Sequence, residues 1–304
     1  MDQSDNNQST GIRVKVDPNI TLDCVVGQDE GIAKLRDLVR RIKWPEVYSL
    51  WGVSKPKAIA LVGPPGVGKT HTIRALANEV DCPLMELKYE DLATHLYDEA
   101  IRRLSAFKAQ AEEISKEHGH VLILIDEADV FFQSRFDTNS HNSDEKKTNF
   151  FLRWIDGDLE GADGFTIIAA SNAWDNVDPA MRRSGRFVRI DFKALSPQDL
   201  IAAIKVHVQL AEKRVGRKMF DLAGIDGMAS SLRGVTGADI KEIIDLALVT
   251  RADLHLDLLL QSEALQAADV DPSLIGLITV DDVVGVMNLY MKKQLPNKKG
   301  IGFE

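Results

Sequence analysis

The segment that most constrains this chain lies at residues 63–70 and reads GPPGVGKT. It follows the apolar run AIALV and leads into KTHTIRALANEV, which has the apolar period of a helix. In that context, a glycine-rich turn and a helix N-terminus bring backbone N–H groups together around phosphate. The segment therefore predicts a P-loop between a buried strand and a helix, and a chance glycine-rich turn is the alternative.

Four further apolar runs alternate with helical patterns as far as about residue 195. They are PLMEL at 83–87, VLILIDEAD at 121–129, FTIIAASN at 165–172 and VRIDF at 188–192. Unbroken apolar strands separated by helices indicate a parallel sheet that is covered on both faces. We therefore predict an α/β nucleotide-binding domain of the P-loop NTPase type at residues 20–195.

The segments outside this domain differ in pattern. Residues 1–19 are rich in Asn, Gln, Ser and Asp, and we expect them to form a flexible tail. Residues 196–294 have a helical period throughout and are predicted to form a small all-α domain. Pro296 is expected to end the last helix, which leaves residues 295–304 as a second tail.

Composition limits the class of protein. The formal net charge of −9 argues against a surface dedicated to nucleic acid. Cys24 and Cys82 lie far apart and lack the spacing of a disulfide framework or a zinc site. No apolar run has the length that a bilayer requires, and the N-terminus does not resemble a secretory signal. We therefore expect a soluble, cytoplasmic protein that does not bind a membrane.

Candidate catalytic residues lie at the end of the P-loop and near the end of the run VLILIDEAD. Lys69 is expected to reach the β and γ phosphates of a bound nucleotide, and the Thr70 hydroxyl is expected to hold Mg²⁺. Asp126 and Glu127 end a strand at the sheet edge where α/β proteins bind ligands. We expect Asp126 to orient a Mg²⁺-bound water and Glu127 to be the general base. For Asp129, support of the site and plain solvent exposure are both open.

The run FTIIAASN ends in Asn172. A neutral amide at that strand end can form hydrogen bonds with both the γ-phosphate and the attacking water. We therefore predict that Asn172 senses which nucleotide is bound, and a simple turn-forming asparagine is the alternative.

The order of these motifs resembles that of the AAA ATPases in the narrow sense, a group that includes proteasomal ATPases, membrane-bound AAA proteases and katanin-like severing enzymes. Five segments between about residues 20 and 290 carry the resemblance. They are ITLDCVVGQDEGIAKLRDLV, the Walker motifs GPPGVGKT and ILIDEAD, the stretch SNAWDNVDPAMRRSGRF, and GVTGADI, in which Thr236 stands where the family has serine.

The resemblance implies a Mg²⁺-dependent ATPase that binds ATP and ADP. In the family, the backbone near Val26 and Gly27 contacts adenine, and the helical domain forms a lid. The nucleotide-binding residues that the resemblance implies are Val26, Gly27, Pro65, Gly66, Val67, Gly68, Lys69, Thr70, His71, Gly237 and Ala238.

Three arginines lie in AMRRSGRF at residues 180–187. The resemblance implies that Arg183 and Arg186 are arginine fingers, which reach the γ-phosphate held by the neighbouring subunit. An unpaired guanidinium at the domain edge would find its anion most easily on another molecule. A repeated head-to-tail contact closes into a ring, and the family implies a homo-oligomer of six copies. For Arg182, a surface ion pair is the favoured interpretation.

Family members thread a polypeptide through the ring pore and grip it with an aromatic-hydrophobic-glycine loop. Leu96 and Tyr97 are the candidate pore residues here, although Asp98 stands where glycine is expected, and helix packing is the alternative. We predict a ring-forming motor that remodels, unfolds or disassembles protein substrates, recognised directly or through an adaptor. A nucleic-acid motor or loader is the alternative, and the acidic net charge argues against it.

Overall fold

The computed structural model describes residues 12–92, 97–133, 142–157, 164–261 and 276–298. The chain divides into two compact units between Ala194 and Leu195. No helix within the described ranges is both long and apolar enough to span a bilayer.

A six-stranded sheet forms the centre of the first unit. Its strands are β1 (Ile12–Val14), β2 (Ala58–Val62), β3 (Leu84–Glu86), β4 (Val121–Ile125), β5 (Phe165–Ser171) and β6 (Val188–Asp191). The order across the sheet is β1-β3-β4-β5-β2-β6, and every neighbouring pair is parallel except β1 with β3. All residues of β2, β4 and β5 are buried, as expected for central strands covered on both faces.

Helices pack on both faces of this sheet and form two apolar clusters. The helices are α1 (Asp29–Lys43), α2 (Pro45–Ser49), α3 (Lys69–Val80), α4 (Tyr89–Leu92), α5 (Tyr97–His118), α6 (Ala128–Phe131) and α7 (Asn142–Asp156). Phe107 and Trp154 belong to the cluster on one face, and Leu35 and Ile73 belong to the cluster on the other. The strand order sets β4, β5 and β2 side by side, so the segments that follow them meet at one edge.

The first strand of the sheet contradicts part of the prediction that residues 1–19 form a flexible tail. Ile12–Val14 forms β1, which pairs antiparallel with β3 at the edge of the sheet. In the run IRVKV, apolar and basic residues alternate, and Val14 and Val16 pack against the apolar core. The tail prediction was wrong here because a three-residue edge strand needs only one apolar face.

The second unit is built from helices α8 (Pro197–Val215), α9 (Gly237–Gln261) and α10 (Val280–Lys298), with a 3₁₀ helix at Ile225–Leu232. Each of the three α-helices begins with a hydroxyl residue that exchanges hydrogen bonds with an aspartate three positions later. These pairs are Ser196 with Asp199, Thr236 with Asp239, and Thr279 with Asp282.

Two details of the second unit differ from the predicted all-α domain. Strand β7 (Phe220–Asp221) pairs in parallel with β8 (Ile278–Thr279). These strands have two residues each, which is too short for a sequence pattern to reveal. In addition, α10 continues to Lys298, past Pro296. A proline in the last turn removes one backbone hydrogen bond and does not have to end a helix.

A buried histidine links the starts of two central strands in the first unit. His120 is 6% exposed, and its Nε2 lies 3.1 Å from the Thr166 hydroxyl oxygen. The Thr166 hydroxyl donates to the Pro56 carbonyl at 2.7 Å, so it accepts a hydrogen bond from the His120 ring. Burial lowers the pKa of His120 to about 3, and the charge of Lys55 acts in the same direction.

We expect this histidine to make the first unit sensitive to acid. Below pH 6.5 the unfolded chain protonates His120, whereas the folded chain keeps it neutral down to about pH 3. Stability is therefore lost as the pH falls through this window, by about 2 kcal/mol between pH 6.5 and 5. Urea unfolding at both pH values measures the loss, and His120→Asn should remove this contribution. An equal pH dependence in the variant would contradict the assignment.

Candidate active site

The turn between β2 and α3 has a backbone that only glycine adopts readily. Gly66 and Gly68 have φ values of 75° and 91°, in the left-handed region. A Cβ on Gly63 would lie 2.3 Å from the Phe192 carbonyl oxygen, so the turn also needs glycine where it leaves the sheet. The first N–H groups of α3 have no acceptor within the helix. This combination of turn and helix start has the features of an anion site.

Lys69 brings the P-loop into contact with the end of β5. It is 8% exposed, and its Nζ donates to the carbonyl oxygens of Gly63 at 2.7 Å and Pro64 at 2.8 Å. The third acceptor is Asn172 Oδ1, at 2.7 Å. Burial lowers the pKa of Lys69, and the negative charges of Asp126 and Asp129 oppose that shift.

Thr70 and Asp126 supply neighbouring oxygens on the other side of the turn. The Thr70 hydroxyl donates to Asp126 Oδ2 at 2.9 Å, while Asp126 Oδ1 accepts the backbone N–H of Glu127 at 2.9 Å. A hydroxyl and a carboxylate are hard oxygen ligands of the type that Mg²⁺ prefers. The residues present therefore fit a magnesium ion.

Glu127 has an unusual backbone conformation for its residue type. Its φ is 50°, in the left-handed region that few non-glycine residues occupy. It is the N-cap residue of α6, and its side chain is exposed. Among the described residues, its carboxylate has no hydrogen-bond or ion-pair partner. It is thus available to a ligand at this edge of the sheet.

Asp129 contacts the end of β5, which bears on the interpretation left open above. Asp129 Oδ1 accepts from the Ser171 hydroxyl at 2.7 Å and from the backbone N–H of Asn172 at 3.2 Å. Because this carboxylate is half-buried and accepts hydrogen bonds from two protein groups, the contacts favour support of the site over plain solvent exposure. The sequence pattern singled out Asn172 and did not single out Ser171 beside it.

Comparison with known proteins identifies the family. The family model described as "ATPase family associated with various cellular activities (AAA)" matches residues 59–194. The 26S proteasome regulatory subunit 8 homolog A of Arabidopsis thaliana is 29% identical over 239 residues, which cover 76% of this chain and 54% of that protein. The proteasome-activating nucleotidase of Thermococcus onnurineus is 31% identical over 238 residues, with coverages of 77% and 56%. The chain belongs to the AAA family.

Membership of the AAA family confirms the predicted P-loop α/β fold, the ATPase class, and ATP with Mg²⁺ as nucleotide and cofactor. A third relative, the ATP-dependent zinc metalloprotease FtsH 1 of Thermomicrobium roseum, is 29% identical over 257 residues. These residues cover 83% of this chain and 37% of that protein. The chain spans about half the length of the two proteasome-related relatives.

The arginines of this AAA chain have different surroundings. Arg183 is exposed, and its guanidinium has no partner among the described residues. Arg186 donates to both carboxylate oxygens of Asp156, at 3.0 and 2.6 Å, and to the Ala180 carbonyl. The hydrogen bond to Asp156 raises the pKa of Arg186. The expectation of an unpaired guanidinium is therefore wrong for Arg186, because a carboxylate of its own chain lies within reach.

Arg182 forms the surface ion pair that the sequence favoured. Its Nη1 lies 3.3 Å from Asp175 Oδ1, and its Nε donates to the Val177 carbonyl at 2.8 Å. Both partners lie in the turn just before it, so this arginine is occupied locally.

The remaining predicted site residues lie in three places. Pro65, Val67 and His71 belong to the P-loop and the first turn of α3, with Val67 packed in the apolar core. Val26 and Gly27 lie in the turn before α1, and Gly237 and Ala238 begin α9 in the second unit. Leu96 lies outside the described residues, as does the side chain of Tyr97, whose backbone begins α5.

Proposed function

We propose that this chain hydrolyses ATP and uses the energy to remodel, unfold or disassemble protein substrates. The observation that carries the proposal is the contact between motifs: Lys69 meets Asn172, and Thr70 meets Asp126. The names of three relatives support protein as the substrate, because each name refers to a proteasome or to a protease. None of these names refers to nucleic acid, so the alternative motor class has no support from them.

The P-loop and Lys69 bind the phosphates in this mechanism. The N–H groups at the start of α3 bind phosphate oxygens, and the Lys69 ammonium moves from its carbonyl acceptors to the β and γ phosphates. Thr70 would hold Mg²⁺ directly and Asp126 would hold it through a water. When bound, Mg²⁺ neutralises charge that develops on the phosphate oxygens.

Glu127 and Asn172 act on the attacking water. Glu127 accepts a proton from it, and the Asn172 amide orients it relative to the γ-phosphate. Since Asn172 also contacts Lys69, a change at the γ-phosphate reaches the end of β5 through one hydrogen bond. We propose on this basis that Asn172 distinguishes ATP from ADP.

Arg183 completes the site of a neighbouring copy. Its exposure and the absence of a partner among the described residues leave its charge free for another molecule. A head-to-tail contact of this kind either closes into a ring or continues as a filament. We propose a homo-oligomeric ring of six copies, the number that the resemblance to the AAA family implies. Arg186 can serve as a second finger once Asp156 releases it. Gripping of the substrate by Leu96 and Tyr97 stays a prediction.

A stimulation assay tests the type of substrate. We expect a chemically unfolded protein to raise the steady-state ATPase rate severalfold, because a remodelling motor couples turnover to engaged polypeptide. Single-stranded and duplex DNA at equal mass concentration should leave the rate unchanged, and a folded, stable protein is the matched control. Stimulation by DNA without stimulation by unfolded protein would favour the nucleic-acid motor instead.

A further inference from the structure

We propose that Asp129 and Ser171 are positioning residues that hold Asn172 against Lys69, and that ATP turnover depends on this arrangement. The inference rests on the ATPase function proposed above. Asp129 Oδ1 accepts two hydrogen bonds, from the Ser171 hydroxyl at 2.7 Å and from the Asn172 backbone N–H at 3.2 Å. One carboxylate oxygen thus binds both residues at the point where the chain leaves the sheet.

The hydroxyl of Ser171 is fixed from two sides. It donates to Asp129, and it accepts the backbone N–H of Ala173 at 3.2 Å. Ser171 is 1% exposed, and its carbonyl accepts the backbone N–H of Gly63 at 3.2 Å. The end of β5 is therefore joined both to the P-loop and to α6, the helix that carries Asp129.

Asn172 differs from its neighbour because its side chain is exposed at the sheet edge. Its amide oxygen accepts from Lys69 Nζ at 2.7 Å, and a side chain this exposed has many competing rotamers in water. The hydrogen bond from its backbone N–H to Asp129 fixes the backbone position from which this side chain reaches Lys69. In this proposal, Asp129 acts through Asn172.

Substitutions in the full chain test this inference. Asp129→Ala should lower kcat about 10- to 100-fold, the range found when an outer hydrogen-bond partner of a site is removed. The Kd for ATP should stay within about threefold, because the P-loop remains intact. Asp129→Asn keeps an acceptor oxygen and should recover most of the lost rate. Ser171→Ala removes one hydroxyl and should lower kcat by a smaller factor.

A double-mutant cycle separates positioning from a general structural effect. In an Asn172→Ala background, Asp129→Ala should lower kcat by no more than about twofold, because the residue through which it acts is absent. Independent, multiplicative losses would overturn the proposal, and so would a loss of ATP affinity as large as the loss of kcat. Asp245→Asn and Ser105→Ala, on exposed helix surfaces, are the matched controls.

Amide hydrogen exchange gives a readout that does not depend on activity. The Asn172 N–H should exchange at least about tenfold faster in Asp129→Ala, because its acceptor is gone. Unchanged exchange would overturn the proposal even if the variant were inactive. An inactive wild-type chain would instead refute the proposed ATPase function, and the exchange experiment would still decide the role of Asp129. If Asp129→Ala does not fold, Ser171→Ala carries the kcat measurement and the double-mutant cycle with Asn172→Ala, because it removes the other hydrogen bond to Asp129.

Discussion

Glu127→Gln is expected to lower the ATPase rate by a factor of about 10² to 10⁴ while ATP still binds. The substitution keeps the size of the side chain and removes the carboxylate that accepts the proton of the attacking water. ATP affinity should be retained because Lys69, Thr70 and the P-loop backbone are unchanged. Single-turnover hydrolysis and equilibrium binding of a fluorescent ATP analogue measure the two properties separately.

The matched control for this substitution is Glu90→Gln, in the first turn of α4 and exposed to solvent. It should hydrolyse ATP at the wild-type rate. Normal turnover in Glu127→Gln would remove this residue from the role of general base. A combined loss of binding and turnover would indicate that the exposed carboxylate contributes to folding of the site instead.

Arg183→Ala is expected to lower turnover by about 10³ or more, because an arginine finger stabilises charge on the transferred phosphoryl group. Each subunit should still bind ATP, since no residue of its own P-loop changes. Arg182→Ala is the matched control one position away, and it should stay within about twofold of wild type because Arg182 is paired with Asp175 in its own turn. Equal losses in both variants would point to a local structural effect rather than to a finger.

The P-loop and the central sheet could be predicted from the sequence because local patterns encode them. The segment GPPGVGKT needs glycine at two kinds of position. The backbone is left-handed at Gly68, and at Gly63 it passes too close to Phe192 for a side chain. The apolar runs of β2, β4 and β5 have no polar interruption because both of their faces are buried. Their adjacency then brings Asp126 and Asn172 to one edge.

The partners of individual side chains could not be predicted in the same way. Asp156 lies 30 positions before Arg186, and only the folded chain brings them together. The hydrogen bond from Ser171 to Asp129 likewise spans 42 positions. The short strands β1, β7 and β8 escaped prediction because two or three residues are too few for a period to appear. Pairing of this kind is decided by tertiary contacts.

Mixing two inactive variants tests most directly the central claim, that one copy completes the active site of the next. Glu127→Gln supplies intact arginines, and Arg183→Ala supplies an intact general base. Random assembly of equal amounts places a complete pair at about a quarter of the interfaces, so the mixture should recover about that share of wild-type activity. The recovered activity should be highest at equal amounts of the two variants and lower when either variant is in excess. Activity that never exceeds the sum of the two variants measured alone, at any ratio, would contradict action between copies.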